Sequence, residues 1–172
     1  MIYRLSQASF QLNRTWDNFL GYSNVMWAFS HFSSIYHHGL AHLYPLVADL
    51  FNDILLRYNE VPHYLETRAD LRTYESMIEF FETNLAEHEE FYSMLSDAID
   101  IADENGDKNV AKDLGHLQRM WNRFMEQAIL LRDKAQIYGE GNKWSFDAFS
   151  DQFYTLKDIA DELTGNGADE DD

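Results

Sequence analysis

The sequence predicts an all-α protein: a four-helix bundle followed by one additional short helix. Three observations carry this prediction. Long stretches place apolar residues at alternating three- and four-residue steps, the period of a helix with one buried face. The chain has 2 prolines and 8 glycines in 172 residues. That is too little punctuation for a many-stranded β protein, which turns about every eight to twelve residues. Hydrophobic residues make up 45% and aromatics 15%, enough to build one domain around a substantial core.

The first helix spans about Tyr3 to Phe29 and carries Leu5, Ala8, Leu12, Trp16, Phe19, Met26 and Phe29 on its stripe. A break is expected between Ala28 and Ser34, with the Ser30 hydroxyl as a cap for the next helix. That second helix runs to about Asn59, is kinked by Pro45, and ends before Pro62 because a residue preceding proline avoids the α region. Residues His63 to Arg68 form a connection, short for a crossover unless Tyr64 to Arg68 coil into a small helix. The third helix holds its rhythm from Leu71 through Tyr74, Ile78, Phe81, Leu85, His88, Tyr92, Leu95 and Ile99 to Ala102. A tight turn at Asp103 to Asp107 makes the third and fourth helices antiparallel neighbours. The fourth helix repeats Val110, Leu114, Leu117, Trp121, Phe124, Ala128, Leu131 and Ala135. Ser145 is placed to cap a fifth, shorter helix whose Phe146, Phe149, Phe153, Leu156, Ala160 and Leu163 share a face. Residues 1–138 are thus read as the bundle and 139–164 as a helical extension packed on it or on a neighbouring copy. Residues 165–172 are read as an acidic, disordered tail.

Composition narrows the function. Cysteine is absent, which excludes disulfide scaffolds, thiolate zinc sites and thiol catalysis. The net charge of −17 repels a phosphate backbone and attracts cations, and no basic segment precedes the first helix, so direct DNA binding is not expected. No apolar run approaches a membrane span and no leader pattern is present, which points to the cytoplasm. Phosphate loops, nucleophile elbows and HExxH runs do not occur.

The chemistry-bearing stretch is HFSSIYHHGLAHLYPLVADLFND, residues 31–53. His31, His38, His42, Asp49 and Asp53 follow one another at steps of seven, four, seven and four, which one uninterrupted helix keeps on one side. Imidazoles and carboxylates in register suit a transition metal. Solvated surface is the competing reading of the same pattern. Three other candidates are weaker. His88 lies on the apolar seam, where a hydrogen-bonded core histidine is the simpler reading. The Asp103 loop has Lys108 and Leu114 where a calcium loop needs its glycine and bidentate glutamate. The Glu60/His63 pair straddles Pro62.

Three stretches resemble the Dps family of mini-ferritins. They are DLFNDILLRYNEVP, EHEEFYSMLSDAIDIADENGDKNVAKDL and WNRFMEQAILLRDK, and the similarity extends over about residues 20–136. The resemblance implies a ferritin-like four-helix bundle. It also implies a homo-oligomeric shell of twelve subunits that oxidises Fe(II) with peroxide or oxygen and stores the ferric mineral, protecting against oxidative stress. In that family the ferroxidase centre lies between two subunits, histidines coming from one and an Asp-x-x-x-Glu pair from the other. Counting back from Val61 without a gap sets Asp49 and Asp53 on that pair, the second carboxylate shortened from Glu to Asp. The same alignment sets Tyr22 and Ser34 where the family has its histidines and His38 where it has another carboxylate. The expected iron ligands are therefore Asp49 and Asp53 with one or more of His31, His38 and His42. The alternative is a structural or binding member that kept the bundle and lost the iron chemistry. Its aromatic interface would be Tyr22, Trp27, Phe29 and the Phe146/Phe149/Phe153 face. A zinc or di-iron centre inside one bundle would need inward carboxylates, and the seams of the third and fourth helices offer only His88.

Overall fold

The computed structural model describes residues 1–165, all helix and connecting chain with no strand among them. The acidic-tail expectation falls outside the described residues apart from Gly165. Helix α1 (Ile2–Trp27) is followed by α2 (Ser30–Tyr36), a π-helical turn (His37–Ala41) and α3 (Leu43–Arg57). After a long connection come α4 (Met77–Glu104) and α5 (Lys108–Tyr138), then α6 (Lys143–Ala148) and α7 (Lys157–Thr164).

The break after α1 falls at Ala28, which adopts a left-handed conformation with φ 58° and ends the helix. Its return is what buries Phe29 against Trp27 and Phe146. Ser30 does not cap α2: it is the first helical residue, and Asp147 Oδ1 accepts the Phe32 N–H at 2.8 Å instead. A carboxylate from far along the chain thus replaces the local hydroxyl.

The helix directions follow from side-chain contacts. Ser33 Oγ donates to Leu20 O, Asn13 Nδ2 to Ala41 O and Ser9 Oγ to Tyr44 O, so α2 and α3 run antiparallel to α1. Phe19 stacks on Phe80 at 3.3 Å and Arg72 joins Thr15 to Glu87, so α4 likewise runs antiparallel to α1. Trp121 Nε1 donates to His88 O and Gln136 Nε2 to Glu82, making α5 antiparallel to α4. The result is an up, down, down, up order, with α3 and α4 pointing the same way.

That order requires the chain to travel the bundle's length between α3 and α4, and residues 58–76 do so with no helix at Tyr64 to Arg68, although the connection reads as short for a crossover without one. They lie extended along α1, docked by Tyr3 to Val61 O, Gln7 to Glu66 O, Gln11 to Arg68 O, Asn18 to Arg72 O and Tyr22 to Tyr74 O. Extended chain covers about twice the distance per residue of helix, so a modest segment suffices. Arg72 locks it, pairing with Asp70 at 2.6 Å and Glu87 at 2.7 Å and donating to Thr15 Oγ1 at 2.9 Å. The third helix starts later than its apolar rhythm suggests: Leu71 is exposed, and Tyr74 is buried from an extended backbone. Ser76 sets the true start. Its Oγ accepts the Glu79 N–H while Glu79 accepts the Glu75 N–H, and Glu140 takes the Met77 N–H.

The core has two aromatic centres. Trp16, Phe19, Phe32, Tyr36, Phe80 and Phe81 interlock near the α1–α2 break. Tyr44, Phe91, Trp121 and Phe124 fill the middle around His88. The single fifth helix is not formed. The segment breaks into α6, a 3-10 turn (Ser150–Phe153) and α7, because Phe146 and Phe153 are both buried while Phe149 is left 46% exposed. Ser145 lies inside α6, not at its cap. Phe29, Trp27, Phe146 and Phe153 are all consumed by the core of their own chain, so the expected aromatic docking face reduces to Tyr22 and Phe149.

Candidate metal centre

Pro45 organises the site. It has no N–H to give Ala41 O, and Asn13 Nδ2 fills that vacancy at 2.9 Å. The chain upstream widens into the π-helical turn, in which His42 N–H reaches back five residues to His37 O at 3.1 Å. The C-terminal extension clamps this turn. Tyr154 Oη donates to Gly39 O at 2.9 Å and Tyr36 Oη to Ser150 O at 3.1 Å. A Cβ on Gly39 would stand 2.9 Å from the Tyr154 ring, so the close approach needs glycine there.

The widened turn inserts a residue into the helical register. The steps of seven and four between His31, His38, His42, Asp49 and Asp53 therefore no longer run along one uninterrupted helix. His31 faces the extension, with Nε2 3.4 Å from Asp151 Oδ1. His38 and His42 come together, their Nδ1 atoms 3.2 Å apart. His37, which sequence reasoning passed over, joins them with ring centroids 4.2 Å from His42 and 4.7 Å from His38. One ring nitrogen from each of the three lies within 4.8 Å of the others. Asp17 of α1 faces the group, its Oδ1 3.9 Å from His37 Nδ1. That Oδ1 is itself shielded from solvent and makes no hydrogen bond. Partial desolvation, and then the neighbouring His37 and His38, hold the His42 imidazole below its ordinary pKa, favouring the neutral ring that a metal requires. The signals for His37 in the sequence were the His-His doublet itself and the Gly39 and Pro45 that bracket the turn.

Asp49 and Asp53 stand one turn apart on the exposed side of α3. They line an open groove of about 1010 Å³ between α3, α5 and α7, together with Leu50, Arg57, His116 and Glu162. Arg57 is paired across the groove with Asp113 at 2.8 Å. His116 contacts Glu162 at 3.7 Å and is mostly exposed. His42 precedes α3 and does not line this groove, and seven residues of helical rise set it about 10 Å along the axis from Asp49. Among the described residues, the group of three or more candidate ligands within one chain is the histidine triplet, and it does not include the two aspartates.

His88, in the bundle interior, has both nitrogens committed. Nδ1 bonds Asn84 O at 2.7 Å and Nε2 meets Tyr44 Oη at 2.8 Å. The first contact makes Nδ1 the donor and leaves Nε2 to accept from the tyrosine. Burial pushes its pKa down to about 4, so it is a neutral core group. No family model matches the chain, and no curated protein matches it.

Proposed function

We propose that this chain is a ferritin-like, Dps-type iron-binding protein. In this reading it oxidises Fe(II) with oxygen or peroxide and stores the product within a homo-oligomeric shell, protecting against oxidative stress. Iron is its substrate and cargo. The observation that carries the reading is the helix order: up, down, down, up with one long crossover, the connectivity by which ferritin-like bundles differ from simple up-and-down ones. Asp49 and Asp53 support it further, because they are exposed one turn apart on the wall of an open groove. Their oxygens are hard donors that favour Fe(III) over Fe(II), and an imidazole of another copy, His31 foremost, would complete the set. The negative charge of −17 concentrates Fe(II) near the surface.

The test is aerobic Fe(II) oxidation followed by absorbance, with a solution mass on the same sample. The expected result is oxidation well above buffer by a multi-subunit particle, lost in the Asp49→Asn/Asp53→Asn variant. A rate equal to buffer ends the proposal. A second reading, a ferritin-like binding protein without ferroxidase chemistry, draws on Tyr22 and Ser34 at the family's histidine positions. It is favoured if the double variant leaves metal content and assembly unchanged.

A further inference from the structure

We propose that His37, His38 and His42 form a separate, nitrogen-rich site for a divalent ion of the zinc class, distinct from the carboxylate pair on α3. Three features of the geometry converge. The His38 and His42 Nδ1 atoms are 3.2 Å apart. Two imidazoles on one tetrahedral zinc ion, each at about 2.0–2.1 Å, have nitrogens about 3.3 Å apart. The spacing is thus already that of one edge of a coordination tetrahedron. His37 brings a third nitrogen within 4.8 Å of the other two, and all three rings reach solvent, so small rotations close the remaining gap.

Asp17 is the third feature. A coordinating imidazole directs its other N–H to a carboxylate, and His37 Nδ1 faces Asp17 Oδ1 at 3.9 Å. With Nδ1 turned to Asp17, His37 would offer Nε2 to the ion. It also gives a shielded carboxylate oxygen, otherwise without a hydrogen bond, its partner. Asp17 is thus a positioning residue. The competing account is a single N–H···N hydrogen bond between His38 and His42 at the surface. It explains the 3.2 Å contact but neither the third ring nor the shielded Asp17 Oδ1 that faces it without a hydrogen bond.

The donor set selects the ion. Neutral imidazoles without thiolate suit zinc, nickel, copper and cobalt, and disfavour magnesium and calcium, which want oxygen. With three protein nitrogens, one position remains for water.

The experiment uses the full chain, stripped of metal, and Zn²⁺ in competition with a chromophoric chelator. The expected result is one tightly held Zn²⁺ per chain, with affinity at least about tenfold lower in His38→Ala and in His42→Ala. Asp17→Asn should weaken binding by about 10- to 100-fold. His31→Gln and Asp49→Asn/Asp53→Asn should bind as the parent does. Co²⁺ should give the intense visible bands of a tetrahedral site. Zn²⁺ uptake equal to that of the His37→Ala/His38→Ala/His42→Ala variant overturns the proposal, as does loss of uptake in the Asp49/Asp53 variant or an octahedral Co²⁺ spectrum. Circular dichroism of each variant separates lost ligation from lost structure. Iron oxidation is read in a separate assay, so either proposal can fail alone.

Discussion

The α4–α5 hairpin and the arm formed by α1, α2 and α3 face each other across one core, yet they are built on different plans. The hairpin is two unbroken helices of 28 and 31 residues joined by a tight turn at Gly106, whose φ is +79°. The arm is interrupted twice, at Ala28 and at the π-helical turn, and its last helix has only 15 residues. Continuous helices hold every side chain to the 3.6-residue period and so make a dependable wall. Interruptions cost local hydrogen bonds, but they let residues that a regular helix would separate converge. Asn13, Asp147 and Tyr154 replace the bonds lost at the arm's two breaks. The difference teaches a division of labour: the hairpin supplies a regular wall, and the interrupted arm brings the candidate ligand groups together.

The largest expected effect tests the hairpin. Trp121 is fully enclosed, lying 4.0 Å from the Phe91 ring and 5.0 Å from Phe124, with its indole N–H on His88 O. Trp121→Ala should cost about 4 kcal/mol in urea unfolding. Loss of less than about 1 kcal/mol would break the comparison.

The next effect comes from pH. His88 is held neutral by burial down to about 4, whereas an unfolded imidazole titrates near 6.5. Between those values the unfolded chain binds a proton that the native chain does not. Stability therefore falls as pH is lowered through that window and levels off below it, a loss on the order of 3 kcal/mol. In His88→Gln that part of the slope should vanish. A slope unchanged by the substitution would move the sensitivity elsewhere.

Arg72→Ala addresses the crossover. Burial alone would raise the Asp70 pKa, but the hydrogen bonds and charge of Arg72 outweigh it and hold the carboxylate below its usual range. Removing the guanidinium leaves Asp70, whose side chain is 3% exposed, without its cation. The expected loss is about 2 kcal/mol by denaturant titration, with hydrogen exchange rising along residues 61–74 first.

Gly39→Ala sharpens the comparison from the arm's side. The new methyl would meet the Tyr154 ring, and the expected cost is about 1 kcal/mol, smaller than any of the above. The signature is local: NMR shifts confined to His37, His38, His42 and Tyr154, with the hairpin's resonances unmoved. Shifts spreading through α4 and α5 would show the two regions to be one cooperative unit.

Much of this architecture was legible in the residues. The 3-4 rhythm of Leu114, Leu117, Trp121, Phe124 and Leu131 marks α5 because a helix that buries one face must repeat that way. The Asn105-Gly106-Asp107 turn and the buried, hydrogen-bonded His88 follow equally local rules. The rhythm misled at Leu71 and Tyr74, whose spacing mimics a helical turn while the chain is extended, since burial of Tyr74 depends on Tyr22 and Phe80 and not on its neighbours in sequence. It misled again across residues 31–53, where the widened turn gathered His38 and His42 with His37 while His31 met Asp151 and the two aspartates stayed in the groove. Pro45 announces a disruption but not its form. A kink, a break and a widened turn all satisfy a missing donor, and the choice depended on Asn13 and Tyr154 arriving from elsewhere.

The order of residues by itself determined that this chain is helical, where its long apolar faces lie, and that its polar chemistry is histidine and carboxylate without thiol. These properties depend on spacing along one helix, so short-range geometry settles them. Only the tertiary structure decided that an extended crossover sets α3 and α4 in the same direction, that the C-terminal segment clamps Gly39, and that His37 joins His38 and His42 beside Asp17. Those facts are contacts between residues far apart in the chain, and no local periodicity encodes which distant group will arrive to satisfy a freed carbonyl.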